Sequence, residues 1–175
     1  PVGKGGKLNW HALVKESGLE VTGLHLDLGT LERDIGACAE EAKSFGSKYI
    51  VITGMYRFDY GSETAVRELV NFEFDSYWLA EAGADPLDWM QKLGNRMKLW
   101  HVADRGSRVS GAAMTPILKS DSVELGTGNM PLDELLAQAK KNGCEAVILE
   151  SHRNWIDKNP IKSLQLSSKY LNERV

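Results

Sequence analysis

The sequence has little of what marks several large classes of protein. Its 175 residues contain only two cysteines, Cys38 and Cys144, which form no CxxC pair, so neither a disulfide framework nor a cysteine-rich zinc site is indicated. No apolar run approaches the roughly 18 residues that a membrane-spanning helix requires. Lys and Arg number 21 and Asp and Glu number 24, so there is no basic excess to bind nucleic acid or an anionic membrane. We therefore predict a globular protein of the reducing cytoplasm with neither of these partners.

What the sequence does have is an alternation of two kinds of segment. Short runs rich in β-branched and other apolar residues alternate with stretches of helical periodicity, which is typical of strands and helices around a parallel sheet. The predicted strands cover 21–27, 48–53, 72–75, 97–104 and 146–150, and the predicted helices cover 31–45 behind Thr30, 63–70, 86–93 behind Asp85, 132–142 and 161–173. Between Arg105 and Met130 we predict a functional loop or a disordered segment. The fold class is α/β, in one domain.

Polar residues occur at or near the carboxyl ends of four predicted strands. These residues are His25, Asp27, Asp75, His101, Asp104 and Glu150. Because the carboxyl ends of parallel strands lie on one face of a sheet, where α/β proteins place their active sites, we expect a functional site there. Taken singly, Asp27 or Asp104 is better explained as the N-cap of a following helix.

Three of these residues have the chemistry of a metal site. Asp75, His101 and Glu150 offer two carboxylates and one imidazole, a set suited to Mn²⁺, Co²⁺, Mg²⁺ or Zn²⁺. His101 alone would more often be a core histidine bonded to backbone. Buried carboxylates have fewer alternatives, because an unpaired buried charge is costly or is forced to protonate. The sequence therefore predicts a divalent-metal site formed by these three residues.

Several short segments also match known motifs in order and spacing. They are 71–78 (NFEFDSYW), 82–86 (AGADP), 101–104 (HVAD), 125–129 (LGTGN) and 147–150 (VILE). They resemble the ElDxyW, aGxDP, HlKD, lGeGnid and vivE motifs of the sugar phosphate isomerase/epimerase family, the xylose isomerase-like TIM barrels. Ala103 stands where the family has Lys, and Thr127 where it has Glu, which removes any substrate contact that those family residues make.

The resemblance implies a fold and a reaction. The fold would be a (β/α)8 TIM barrel. The reaction would be the isomerisation or epimerisation of a sugar or sugar phosphate, in which a divalent metal ion stabilises enediolate-like charge while carboxylates move protons next to the carbonyl. Asp75, His101 and Glu150 would bind the metal, and Glu150 would also act as the catalytic acid/base. The candidate substrate-binding residues are His25, Asp104, His152 and Arg153, of which Asp104 could also orient a metal ligand.

The chain is short for such a barrel, which usually needs about 250 residues. By comparison with the family, the first two strands would precede Pro1. A further segment, carrying the fifth strand with a fourth ligand and a second acid/base, would be absent near residues 68–71. We therefore predict that residues 1–175 form a single, incomplete barrel domain.

Other functions stay open on the sequence alone. A metal-dependent dehydratase of a keto-inositol would use the same fold and the same first step. A non-catalytic α/β module that binds a small molecule would be complete at this length and would hold no metal. An endonuclease of the same superfamily is disfavoured by the acidic balance. The expected partner is a small carbohydrate, and Trp10, Tyr60 and Trp155 could serve as surface residues of a homo-oligomer.

Overall fold

The computed structural model describes residues 8–53, 71–106, 122–152 and 154–174. The chain divides into two compact units, Pro1–Val66 and Arg67–Val175. Among the described residues, no helix is long and apolar enough to cross a membrane. Three predictions lie outside the described residues, wholly or in part. They are Tyr60, the helix at 63–70 and the missing segment near 68–71. Trp10 is exposed, as expected, whereas Trp155 is partly buried.

The described residues of the first unit form two parallel strands and three helices. In chain order they are α1 (Trp10–Ser17), β1 (Gly23–Asp27), α2 (Leu28–Arg33), α3 (Ile35–Ser44) and β2 (Tyr49–Thr53). Strand β1 pairs with β2 from Gly23 opposite Tyr49 to Asp27 opposite Thr53. Among the described residues of this unit, the buried apolar ones are Leu31, Cys38 and Ala42.

The single helix predicted at 31–45 is instead two helices, α2 and α3. Asp27 is the N-cap of α2 and accepts a hydrogen bond from the Thr30 amide at 2.9 Å, so Thr30 is not the cap. Asp34 is the N-cap of α3 and accepts from the Ala37 amide at 2.8 Å. Aspartate competes for backbone amides and so favours caps over helix interiors, which explains the break at Asp34. The preference for Asp27 as a cap is confirmed.

In the second unit, the described residues include a sheet of three parallel strands, in the order Phe72–Asp75, Met97–Val102, Ala146–Leu149. The elements of this unit are β3 (Phe72–Asp75), α4 (Ser76–Glu81), α5 (Pro86–Leu93), β4 (Met97–Val102), β5 (Asp104–Arg105), β6 (Ser122–Val123), α6 (Leu132–Asn142), β7 (Ala146–Leu149) and α7 (Pro160–Asn172). Short β5 pairs antiparallel with β6. Two 3₁₀ turns cover Gly94–Arg96 and Ile156–Lys158.

Local sequence explains where several of these helices begin and end. Asp85 caps α5 through the Leu87 amide at 2.8 Å, and Pro86 occupies the first turn, as predicted. Gly143, with φ 73°, ends α6 in the left-handed conformation that glycine adopts without strain. Helix α4 was not predicted. It begins because Asp75 accepts a hydrogen bond from the Trp78 amide at 2.8 Å.

The hydrophobic core of this unit lies between the sheet and its helices. Its fully buried members include Met90 on α5, Trp100 on β4 and Leu135 on α6. The Trp100 indole Nε1 donates to the Ser76 hydroxyl at 2.9 Å, so its polar atom is satisfied in the core. Because side chains alternate along a strand, Trp100 and His101 lie on opposite faces of β4. One face therefore builds the core, and the other carries His101.

Candidate metal centre

Strand register brings Asp75 and His101 together. Asp75 is the last residue of β3 and lies opposite His101 on β4, which in turn lies opposite Ile148 on β7. Glu150 follows directly after β7, and its backbone N–H donates to the Val102 carbonyl at 3.0 Å. All three predicted ligands therefore lie at the carboxyl ends of adjacent parallel strands.

The donor atoms of these three residues converge on one point. His101 Nδ1 lies 3.4 Å from Glu150 Oε2 and 3.7 Å from Asp75 Oδ2. Each residue has a ligand atom within 4.8 Å of the others. An ion about 2.1 Å from two ligand atoms sets them about 3.0–3.4 Å apart at tetrahedral or octahedral angles. The distance from His101 to Glu150 falls at the upper end of this range and the distance to Asp75 is 0.3 Å longer, so His101 and the two carboxylates fit a divalent metal ion.

The other imidazole nitrogen contacts a residue that the sequence analysis missed. His101 Nε2 lies 2.6 Å from Glu73 Oε1, and the Glu73 side chain is only 10% exposed. The signal was present in the sequence, because residues two apart on a strand share a face and Glu73 is two residues before Asp75. Metal-binding histidines commonly contact a carboxylate through the second ring nitrogen, and Glu73 occupies that position beside His101.

The His152 imidazole contacts the second carboxylate oxygen of Glu150. Its Nε2 is 3.0 Å from Glu150 Oε1, on the oxygen that does not face His101. The His152 backbone is held by Ser122, whose hydroxyl accepts from the His152 N–H at 3.3 Å. The imidazole is also near the Trp78 ring, at a centroid distance of 6.5 Å. The structure thus places His152 beside the predicted metal ligands.

The charged groups of the cluster shift the pKa values of His101 and Glu150 in opposite directions. The carboxylates of Asp75, Glu150 and Glu73 together raise the pKa of His101 to about 11, against the opposing effect of burial. Contact with His101 in turn lowers the pKa of Glu150 to about 2. At neutral pH Glu150 is therefore ionised, as a metal ligand must be, whereas His101 carries a proton that a metal ion would have to displace.

The Asp104 carboxylate is held by backbone hydrogen bonds. Its side chain is 1% exposed. One oxygen accepts from the amides of Gly126 and Gly128 at 2.9 and 2.8 Å, and the other accepts from Arg105 and Met130 at 2.8 and 3.0 Å. Four backbone donors occupy both oxygens, so the carboxylate holds the loop 126–130 and does not cap a helix. Its predicted contact with substrate stays a prediction. These bonds also explain why the predicted strand 97–104 ends at Val102.

Three further positions were singled out by the sequence: His25, Arg153 and Thr127. His25 lies exposed on β1 of the first unit, and Arg153 lies outside the described residues. Thr127, which stands where the family has Glu, donates its hydroxyl to the Glu124 carbonyl at 2.7 Å. The substrate-binding roles of His25, His152 and Arg153 stay predictions.

Comparison with known proteins agrees with the fold. No family model matches the sequence, and a search of curated proteins found no match. Two solved structures of xylose isomerase-like TIM barrels resemble the chain. AsbF of Bacillus anthracis, described as a probable 3-DHS dehydratase of petrobactin synthesis, is 18% identical with a TM-score of 0.60 over 94% of this chain and 81% of that chain. A sugar phosphate isomerase/epimerase of Parabacteroides distasonis is 16% identical with a TM-score of 0.63 over 93% and 74%.

These likenesses establish the fold alone. The α/β class and the resemblance to xylose isomerase-like TIM barrels are confirmed. That the chain contains only part of such a barrel, as one incomplete domain, stays a prediction.

Proposed function

We propose that the protein is a divalent-metal-dependent isomerase or epimerase that moves a proton on the carbon next to the carbonyl group of a sugar or sugar phosphate. The observation that carries the proposal is the convergence of Asp75, His101 and Glu150 at the carboxyl ends of adjacent strands. This is the edge where TIM barrels place their catalytic residues. The two solved structures of similar fold support the proposal, because one is described as an isomerase/epimerase and the other as a probable dehydratase.

The three residues would hold the metal through His101 Nδ1 and one oxygen of each carboxylate. When bound, a divalent metal ion supplies Lewis acidity to adjacent oxygens of a substrate. Two carboxylates and a neutral imidazole would balance the two positive charges of the ion, so the Lewis acidity of the ion, and not a net charge, would act on the substrate oxygens. Asp75 is fixed for this task, because its other oxygen, Oδ1, accepts from the Trp78 amide at the start of α4.

Glu150 is the residue best placed to move the proton. Its side chain is 29% exposed, and its Oε1 faces His152 rather than His101. Because it is ionised at neutral pH, it can accept the proton from the carbon next to the carbonyl and return it to the neighbouring carbon, as isomerisation requires. Epimerisation would need a second acid/base to deliver a proton to the opposite face. His152, 3.0 Å away, orients Glu150 Oε1.

A dehydratase is the second candidate, favoured by the likeness in fold to AsbF. It would begin with the same removal of a proton next to a carbonyl and then release the hydroxyl group on the next carbon as water. A non-catalytic binding module is not favoured, because it gives no reason for three ligand side chains to converge.

The test is exchange of substrate protons with solvent. The protein is loaded with Mn²⁺ or Co²⁺ and incubated in deuterated water with ketoses, inositol-derived ketones and their phosphates, and deuterium uptake is followed by NMR. We expect uptake at the carbon next to the carbonyl, reduced about 10²–10⁴-fold by Glu150→Gln, which keeps the shape and removes the charge. Asp88→Asn, an exposed change on α5, is the matched control.

Isomer or epimer products support the first candidate, and an unsaturated product with loss of water supports the second. If no compound exchanges and the protein binds no metal, the proposed function is wrong and the binding module is favoured.

A further inference from the structure

We propose that Glu73 is a positioning residue for His101: when Asp75 and Glu150 bind a metal ion, Glu73 would accept the Nε2 proton of His101 and so present Nδ1 to the ion. The proposal rests on the proposed function, since it requires a metal ion at that place. Glu73 is absent from the predicted site and is assigned here by its contact with His101.

Strand geometry places Glu73 where it can do this. Glu73 and Asp75 share one face of β3, and they pair in register with Leu99 and His101 of β4. Glu73 is therefore the diagonal neighbour of His101, two residues before Asp75 on the same face of β3. Its side chain is 10% exposed, compared with 25% for Asp75 and 29% for Glu150. It lies deeper in the molecule than the two carboxylates that would bind the ion.

The burial of Glu73 favours its contact with His101. A buried carboxylate is costly unless a partner of opposite charge or a proton donor meets it. His101 Nε2 meets Glu73 Oε1 at 2.6 Å. With the proton held on Nε2, the lone pair of Nδ1 is directed to the side where Glu150 and Asp75 lie. The contact also prevents the imidazole from turning.

The same geometry distinguishes a positioning residue from a ligand. Glu73 contacts Nε2, whereas Asp75 and Glu150 lie on the Nδ1 side. The two ring nitrogens point away from each other, so an ion on Nδ1 does not reach the Glu73 oxygen that holds Nε2. Loss of Glu73 should therefore weaken the metal site without removing a ligand.

The experiment is a Co²⁺ titration of the full chain, followed by visible absorption and by competition with a chelator. The variants are Glu73→Gln, whose amide oxygen can still accept from Nε2; Glu73→Leu, which cannot accept; and Asp75→Asn, which alters a ligand. Glu134→Gln, exposed on α6, is the matched control. Circular dichroism and the melting temperature confirm that each variant is folded.

We expect Glu73→Leu to weaken Co²⁺ binding about 10–100-fold, as loss of such partners does in other metal sites. Glu73→Gln should lose much less, although it removes the same charge, and Asp75→Asn should lose more than either. Imidazole ¹⁵N NMR of the Zn²⁺-loaded protein gives a second readout. Wild type should show a metal-bound Nδ1 and a protonated Nε2 on His101, and Glu73→Leu should show a mixture. If Glu73→Leu does not fold, the comparison of Glu73→Gln with Asp75→Asn and the wild-type NMR assignment decide the matter.

Several outcomes would overturn the proposal, and they separate it from the proposed function. Wild-type protein that binds no Co²⁺ contradicts both. Wild-type binding that persists unchanged in Glu73→Leu contradicts only the positioning role. Equal losses in Glu73→Gln and Glu73→Leu indicate a general effect of charge instead. A metal-bound Nε2 in wild type, with losses as large as those of Asp75→Asn, identifies Glu73 as a ligand.

Discussion

His101 shows how one side chain can require opposite states with and without a metal ion. Three carboxylates surround its imidazole and stabilise the protonated form, raising its pKa to about 11. The same carboxylates would attract a divalent cation in the proposed site. Proton and metal ion therefore compete for Nδ1, and the balance between them depends on pH.

We predict that metal binding releases about one proton per ion at pH 7–8, and that the apparent Kd of Mn²⁺ falls about tenfold per pH unit in this range. The sign follows from the pKa values: His101 is protonated in the metal-free protein below about pH 11, whereas Glu150, with a pKa of about 2, has no proton left to release. Calorimetry in buffers of different ionisation enthalpy counts the protons. A pH-independent Kd without proton release would contradict the prediction.

Cys144 offers a second test at the level of single residues. Burial raises the pKa of its thiol, and its Sγ donates to the carbonyls of Lys98 and Ala146 at 3.4 and 3.2 Å. Because the thiolate is the reactive species, we predict slow alkylation of Cys144 by iodoacetamide at pH 7.5, several-fold slower than in the urea-unfolded protein. Peptide mass spectrometry measures both rates, and equal rates would show that the thiol is not protected.

At the scale of elements, local rules predicted much and long-range contacts explain the rest. The spans of β3, α5 and α6 follow from β-branched or aromatic alternation, caps and a terminal glycine, all of which are encoded within a few residues. Asp104 could not be interpreted in this way, because three of its four donors come from residues 126–130, far along the chain. Alternation along β3 places Glu73 on the same face as Asp75, but its contact with His101 depends on the pairing of β3 with β4, which is not encoded within a few residues.

We predict that Asp104→Asn destabilises the protein by about 2–4 kcal/mol, because an amide group cannot accept all four backbone N–H bonds and its own donors then face donors. Urea unfolding measures the change. Asp88→Asn, which removes only an exposed pair with Lys92, should cost at most about 0.5 kcal/mol. Because Asp104 holds a loop and not the ion, Co²⁺ affinity in folded Asp104→Asn should stay within about threefold of wild type. A large loss of affinity would instead favour the ligand-orienting role that the sequence suggested.

For the whole molecule, the metal ion should act as a ligand of the folded state. The three convergent residues come from distant parts of the second unit, so unfolding of that unit separates them and releases the ion. Binding to the native state alone adds about 2.7 kcal/mol when the free metal concentration is 100 times Kd. A homo-oligomer stays a prediction. Of the three aromatic residues proposed for its surface, Trp10 is exposed, Trp155 is partly buried and Tyr60 lies outside the described residues.

We therefore predict that saturating Mn²⁺ or Co²⁺ raises the melting temperature by about 5–10 °C and that EDTA reverses the change, as expected for about 2.7 kcal/mol in a chain of this size. Asp75→Asn removes a ligand that connects β3 to β4 and β7, so its melting temperature should be nearly independent of metal. Glu134→Gln should respond as wild type does, because it lies exposed on α6. A shift of equal size in Asp75→Asn would mean that the ion binds elsewhere on the surface, since only binding at this cluster depends on that carboxylate.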